Sequence, residues 1–146
     1  MFRLLFIGFI SCVAASMIIY ALATSDLTLN EIKIASIEKV VSSMMDDLDR
    51  AMPLIEKAGY TMSAVEAELR LPPELKTIFQ RKEVVEKGKQ ELILKALENN
   101  RIGHLVLQML MQTFSFDEKV AIKDMKLEMI HIVISFPPYV VAEYTK

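Results

Sequence analysis

The feature of this sequence that most limits its fold is a run of 22 residues without a charge, from Leu4 to Ser25. An α-helix rises about 1.5 Å per residue, so a helix of this length crosses a hydrocarbon core of about 30 Å. Arg3 precedes the run and Asp26 follows it, and positively charged flanks stay on the cytoplasmic side of a membrane. The sequence therefore predicts a single-pass anchor over residues 1–25, with a cytoplasmic N-terminus and residues 26–146 as an exported domain.

A cleaved signal peptide is the alternative interpretation of the same run. Ala21 and Ala23 have the small-x-small spacing that signal peptidase accepts, and cleavage after Ala23 would give a secreted or periplasmic domain. The apolar stretch before Ala21 has 17 residues, whereas signal peptides use about 7 to 15. That length favours an uncleaved anchor, and both interpretations place the domain outside the cytoplasm.

Small residues recur every four positions in the predicted anchor, at Gly8, Cys12 and Ser16. Such a face allows two membrane helices to approach closely, so it could serve a homodimer or a protein partner. Cys12 is also the only cysteine of the chain. The exported domain can therefore form neither a disulfide nor a thiolate metal site.

The segment after the anchor predicts a helix that begins near Leu29, because Thr28 and Glu31 form a capping box. Apolar residues then follow a heptad-like spacing: Ile34, Ile37, Val41, Met44, Leu48, Ala51, Ile55 and Ala58. Val40 and Met45 widen this stripe beyond the seam of a two-stranded coiled coil, which favours packing on a sheet over a dimeric stalk.

Beyond Gly59 the apolar spacing changes to two, which is typical of half-buried strands. Two segments, 65–71 and 74–80, alternate on either side of Pro72-Pro73, and a second set with the same alternation flanks Pro137-Pro138, 65 residues later. The β-branched second set excludes a helix there. We expect antiparallel β-hairpins in both places and an internal α-β-β duplication, with Val65, Ala67, Leu69 and Leu71 half-buried. Pro-Pro-Glu can also begin a helix, which is the rival interpretation of the first set.

The region between the two proline pairs predicts helices. Residues 82–98 form a charged amphipathic helix whose apolar side holds Val85, Leu92 and Ala96, and residues 102–114 form a helix apolar enough to be central. Ser115 with Glu118 predicts a further short helix to about Lys123. The fold class is therefore α+β: a membrane helix, then a small domain of antiparallel hairpins covered by helices.

The sequence offers little for catalysis. Glycines of the exported domain are too dispersed for a phosphate-binding loop or a nucleophile elbow. His104 and His131 are the only histidines, so a three-histidine zinc site is excluded. We predict no catalytic residues, no metal site and no cofactor, and the balanced charge, net −2, argues against nucleic acid.

One polar row interrupts the apolar helix over residues 102–114: His104, Gln108 and Gln112, each four residues from the next. The row is either a solvent-facing stripe or the lining of a ligand or partner site. On this basis we expect a membrane-anchored, non-catalytic interaction module of an envelope or surface assembly. The alternative is an extracytoplasmic binding protein for a small apolar or amphipathic ligand.

Overall fold

The computed structural model describes residues 34–120 and 122–146, and residues Ile37–Lys146 form one compact unit. The elements in chain order are α1 (residues 34–57), β1 (Tyr60–Glu68), β2 (Glu74–Arg81), α2 (Lys87–Ala96), α3 (Arg101–Val120), β3 (Lys126–Ile134) and β4 (Tyr139–Thr145).

The predicted anchor, its small-residue face at Gly8, Cys12 and Ser16, and the capping box at Thr28 lie outside the described residues. None of the helices within the described residues combines the length and the apolar character that a membrane span requires.

The described strands form one antiparallel sheet with the order β1-β2-β3-β4. Three helices accompany these four strands in the described part of the chain, so the predicted α+β class is confirmed at that level. Both proline pairs lie in hairpin loops, one between β1 and β2 and the other between β3 and β4. The rival helical interpretation of residues 64–81 is therefore wrong.

The two hairpins share one register at the predicted offset of 65 residues. Ala67 pairs with Leu75 in the first hairpin, and Ile132 pairs with Val140 in the second. The irregularities also correspond, because one bulge falls between Met62 and Ala64 and the other between residues 127 and 129. The hairpins are thus geometrically equivalent along their paired length.

One face of the sheet forms the core. Its central strands contribute six buried side chains: Leu75, Thr77, Phe79, Ile130, Ile132 and Ile134. The helices cover this face with Leu48, Ala51 and Ile55 of α1 and with Val106, Leu107, Leu110 and Phe114 of α3. Thr77, the polar member, donates its hydroxyl hydrogen to the Ile132 carbonyl oxygen at 3.1 Å, so its burial leaves no unpaired polar group.

The heptad-like stripe predicted on the first helix is confirmed from Ile37 onward, since Ile37, Val41, Leu48, Ala51, Ile55 and Ala58 are all buried. The predicted widening of this stripe is wrong, because Val40 and Met45 are 48% and 41% exposed. The predicted burial on the first strand is wrong. Val65 and Leu69 are 37% and 58% exposed, Leu71 is 68% exposed, and Ala67 is also exposed. β1 is an edge strand that begins at Tyr60 and ends before Leu69. An alternating pattern predicts a strand, but it does not determine whether other elements cover the apolar side chains of that strand.

The first predicted helix of the central region starts later than expected. The backbone amides of Lys82 and Glu83 donate to the carbonyl oxygen of Gly59, which keeps this stretch extended, and α2 begins at Lys87. The buried side chains are Ile93 and Leu97, whereas Leu92, predicted on the apolar side, is 70% exposed.

The second predicted helix is longer than expected. α3 continues through Ser115 to Val120, so the Ser115–Glu118 pair does not open a new helix. A capping box requires a non-helical first residue, and nothing between Phe114 and Ser115 ends the helix. The central position of α3 is confirmed by its fully buried Val106, Leu107 and Leu110.

A close crossing joins α1 to the start of α3. The Asn100 side chain accepts a hydrogen bond from the Gly103 amide at 2.8 Å and donates to the Asp47 carbonyl oxygen at 2.6 Å. A Cβ atom at Gly103 would collide with the Cβ of Ala51. Glycine at this position therefore sets how closely the two helices pack.

We predict that Gly103→Ala destabilises the domain by about 1 to 3 kcal/mol, because overpacking must separate α1 from α3. Gly88→Ala is the matched control, since a Cβ there meets only the distal Glu86 carboxylate oxygen at 4.0 Å, and it should be neutral or stabilise by up to about 1 kcal/mol. Urea unfolding monitored by circular dichroism measures both. Equal midpoints for the two variants would contradict the tight crossing.

Leu110→Ala should leave a cavity at the centre of the core and lower the free energy of unfolding by about 2 to 5 kcal/mol. Gln112→Ala, two residues along the same helix but exposed, should change it by less than about 0.5 kcal/mol. The same urea titration compares them. A loss below about 1 kcal/mol for Leu110→Ala would place this side chain outside the core.

Candidate binding cleft

An open cleft of about 630 Å³ lies between the loop of residues 82–86, the first turns of α2 and the C-terminal half of α3. We call it the α2–α3 cleft. Its apolar lining is Val84, Val85, Leu94, Met111, Phe114 and Phe116; its polar and charged lining is Tyr60, Arg81, Glu86, Lys87, Gln90, Gln108, Gln112, Ser115, Glu118 and Lys119. The cleft thus combines apolar side chains with a larger number of polar and charged ones.

Three stacked groups build one wall of the cleft. The rings of Tyr60 and Phe114 lie 5.4 Å apart with an interplanar angle of 24°, and the Arg81 guanidinium carbon lies 4.3 Å from the Phe114 ring centroid. Tyr60 and Arg81 are paired across β1 and β2, whereas Phe114 comes from α3. Stacking and cation–π attraction therefore fix this wall between the sheet and the helix.

Gln90 connects α2 to the same wall. Its side-chain amide donates to the Ala58 carbonyl oxygen at 2.9 Å and to the Tyr60 hydroxyl oxygen at 3.1 Å. Burial raises the pKa of Tyr60 above its ordinary value of 10.0, while the Gln90 hydrogen bond and the Arg81 charge act in the opposite direction and Glu118 adds to the increase. The environment of Tyr60 therefore favours the neutral phenol over the phenolate.

The structure places two of the three predicted site residues in this cleft. Gln108 and Gln112 are exposed and line it. His104 is not among the lining residues; its Nδ1 lies 3.2 Å from the Leu94 carbonyl oxygen, a contact between α3 and α2. Sequence reasoning missed Tyr60, Arg81 and Phe114, because residues so far apart in the chain are joined only by the register of the hairpin and the position of α3.

The rim of the cleft is apolar and strongly exposed. Val84 in the loop is 79% exposed and Phe116 on α3 is 57% exposed, and both line the cleft. The charged groups at the cleft are mixed: Arg81, Lys87 and Lys119 against Glu86 and Glu118. The cleft therefore presents apolar contact area with charges of both signs around it.

Within the described residues no group of three or more histidine, cysteine, aspartate or glutamate side chains is arranged to hold a metal ion. Comparisons of the chain with protein-family models, curated proteins and solved structures find no significant match. The function must therefore be argued from the residues of this domain.

Because the pKa of Tyr60 is raised, we expect the stability of the folded domain to depend on pH in the alkaline range. The unfolded chain loses this proton near pH 10 and the folded chain only at higher pH, so stability is retained below pH 10 and falls as the pH rises beyond it. Tyr60→Phe should weaken that decline. Urea midpoints measured from about pH 8 to 11 for the native chain and the variant test this, and an identical slope for both proteins would show that Tyr60 does not contribute.

Proposed function

We propose that the protein is a membrane-anchored, non-catalytic interaction module of an envelope or surface assembly, and that the α2–α3 cleft binds its partner. The observation that carries this proposal is the apolar rim, where Val84 and Phe116 remain largely exposed beside a cleft already lined by apolar side chains. Burying such side chains against a partner is favourable because it removes apolar area from water.

The length of the cleft suits a short segment of a partner protein. Its lining on α3 extends from Gln108 to Lys119, which corresponds to roughly 16 Å of helix at the usual rise per residue. Two or three turns of an amphipathic helix fill a groove of this length. Gln108 and Gln112 would supply hydrogen bonds to such a segment, and the surrounding charges of both signs would set its orientation.

A small apolar or amphipathic ligand is the second candidate for the same cleft. The volume, about 630 Å³, lies within the range of small-molecule sites. Such sites usually bury most of the ligand surface, whereas this cleft is open and two of its lining residues, Val84 and Phe116, remain largely exposed. The exposed rim therefore favours a macromolecular partner.

The chemistry of the lining supports a binding role over catalysis. Among the described residues that line the cleft there is neither a histidine nor a cysteine. The Tyr60 hydroxyl already accepts a hydrogen bond from Gln90, and burial raises its pKa, which disfavours the phenolate that would act as a nucleophile. Nucleophilic catalysis requires a nucleophile with an adjacent base.

We also propose that the two hairpins arose by internal duplication of an α-β-β unit. Their shared register and their equivalent bulges support this origin. The remaining helix, α2, then lies between the two copies in the chain and, together with α3, forms the cleft.

Site-specific photo-cross-linking tests the cleft as a partner site. Phe116 is replaced by p-benzoylphenylalanine in the full chain, in its native membranes, and cross-linked products are identified by mass spectrometry. We expect one product of defined mass from position 116, and its loss when Gln108→Ala and Gln112→Ala are added. The matched control carries the same photo-reactive residue at Leu92, which is 70% exposed but does not line the cleft.

Native mass spectrometry of the purified chain distinguishes the second candidate. A retained small molecule that is lost in the Gln108/Gln112 double variant would favour ligand binding. The same cross-linked product from positions 116 and 92, together with an unliganded mass, would remove the cleft from both proposals.

A further inference from the structure

Four exposed apolar side chains gather at the tips of the two hairpins. They are Leu69 (58% exposed), Leu71 (68%), Phe136 (90%) and Tyr139 (47%), and we call them the hairpin-tip patch. Leu71 and Phe136 are equivalent under the 65-residue offset, and each directly precedes a proline pair. Clustered exposed apolar side chains of this kind mark contact surfaces more often than single ones do.

Both tips lie at the same end of the sheet. β2 begins after the first loop, β3 ends before the second, and Leu75 pairs with Ile134 across these two strands. The loops of residues 69–73 and 135–138 are therefore neighbours. The second loop is braced by a hydrogen bond from the Ser135 hydroxyl to the Pro137 carbonyl oxygen at 2.7 Å.

The chain also enters the compact unit at this end. Helix α1 ends next to the start of β1, so its earlier residues lie toward the opposite end of β1, where the first tip is. A shallow cavity lined by Glu38, Val41, Met45 and Leu69 confirms this proximity. In sequence, only residues 26–36 separate the uncharged run from Ile37, and about 11 residues span at most about 40 Å.

We infer that the hairpin-tip patch contacts the lipid surface of the membrane that holds the anchor. The inference rests on the anchorage in the proposed function. The tips lie at the end of the sheet where the compact unit begins with Ile37, and their exposed groups are two leucines, a phenylalanine and a tyrosine. Tyrosine is enriched at the membrane–water interface, and leucine and phenylalanine are the apolar contacts that interfacial segments insert into lipid.

The charges beside the patch indicate which lipid suits it. Arg70 lies 2.8 Å from a Glu68 carboxylate oxygen and 2.7 Å from one of Glu74, and Lys76 also pairs with Glu68. These ion pairs hold the pKa of Glu68 below its ordinary value and leave no excess of positive charge in the group. The patch is therefore suited to zwitterionic lipid, with apolar insertion rather than attraction to anionic headgroups as its basis.

The absence of tryptophan from the whole chain gives a direct test. Phe136→Trp introduces a single tryptophan, which can be excited selectively over the tyrosines, into the full-length chain, and the variant is reconstituted in phosphatidylcholine vesicles. We expect blue-shifted emission and strong quenching by phosphatidylcholine brominated on its acyl chains. Leu92→Trp, at an exposed position on α2, is the matched control and should be quenched at least about threefold less.

A second measurement replaces two apolar side chains of the hairpin-tip patch with polar ones. Leu71→Ser combined with Leu69→Ser should reduce the quenching of the tryptophan introduced at position 136 severalfold while the chain still floats with the vesicles. Both positions are exposed, so the substitutions should leave the fold intact. The circular dichroism spectrum of the variant should therefore match that of the parent, and a difference would reveal a folding defect.

The possible results distinguish a failure of the lipid contact from a failure of the proposed membrane anchor. Equal quenching at positions 136 and 92, with the chain floating with the vesicles, would overturn the lipid contact and leave the anchor in place. A chain that fails to float, or a mature mass beginning near Thr24, would remove the anchor and the contact together. Blue-shifted emission from position 136 in the vesicles that brominated lipid does not quench would assign the patch to a contact between copies of this chain and overturn the inference.

Discussion

The apolar contact between α3 and one face of the sheet is the interaction on which the rest of the domain depends. Val106, Leu107 and Leu110 are fully buried against a face whose central strands bury six side chains. Because β3 follows α3 in the chain and pairs with β2, the helix that covers the core also brings the second hairpin beside the first. The apolar members of this face belong to one core cluster with these α3 side chains and with Leu48, Ala51 and Ile55 of α1.

The equivalence of the hairpins shows how position in the sheet decides burial. Val65 and Ala67 have the same register in their hairpin as Ile130 and Ile132 have in theirs. The first pair is exposed and the second is buried. β1 has a neighbour on one side only, whereas β3 lies between two strands and under α3. The same hairpin register thus occurs with an exposed edge strand in the first hairpin and with a buried central strand in the second.

The two surfaces proposed for contact lie at opposite ends of the first hairpin. Tyr60 and Arg81, in the α2–α3 cleft, pair at one end of β1 and β2, and Glu68 pairs with Glu74 at the other, beside the hairpin-tip patch. A strand of nine residues separates them by roughly 27 Å. If the patch contacts lipid, the cleft lies at the end of the hairpin that is farther from the membrane, where a partner in the surrounding compartment can reach it.

The sequence by itself determined the class of elements and much of their order, because these follow from periodicity. The stripe from Ile37 to Ala58, the two hairpins around the proline pairs and the buried character of residues 102–114 are local patterns, and Gln108 and Gln112 could be singled out within one helix. Tertiary structure decided what no local pattern contains. It made β1 an edge and exposed its alternating residues, it delayed α2 through hydrogen bonds to Gly59, and it assembled Tyr60, Arg81 and Phe114 into one wall. The physical reason is that burial and stacking are set by which elements become neighbours, and those neighbours come from distant parts of the chain.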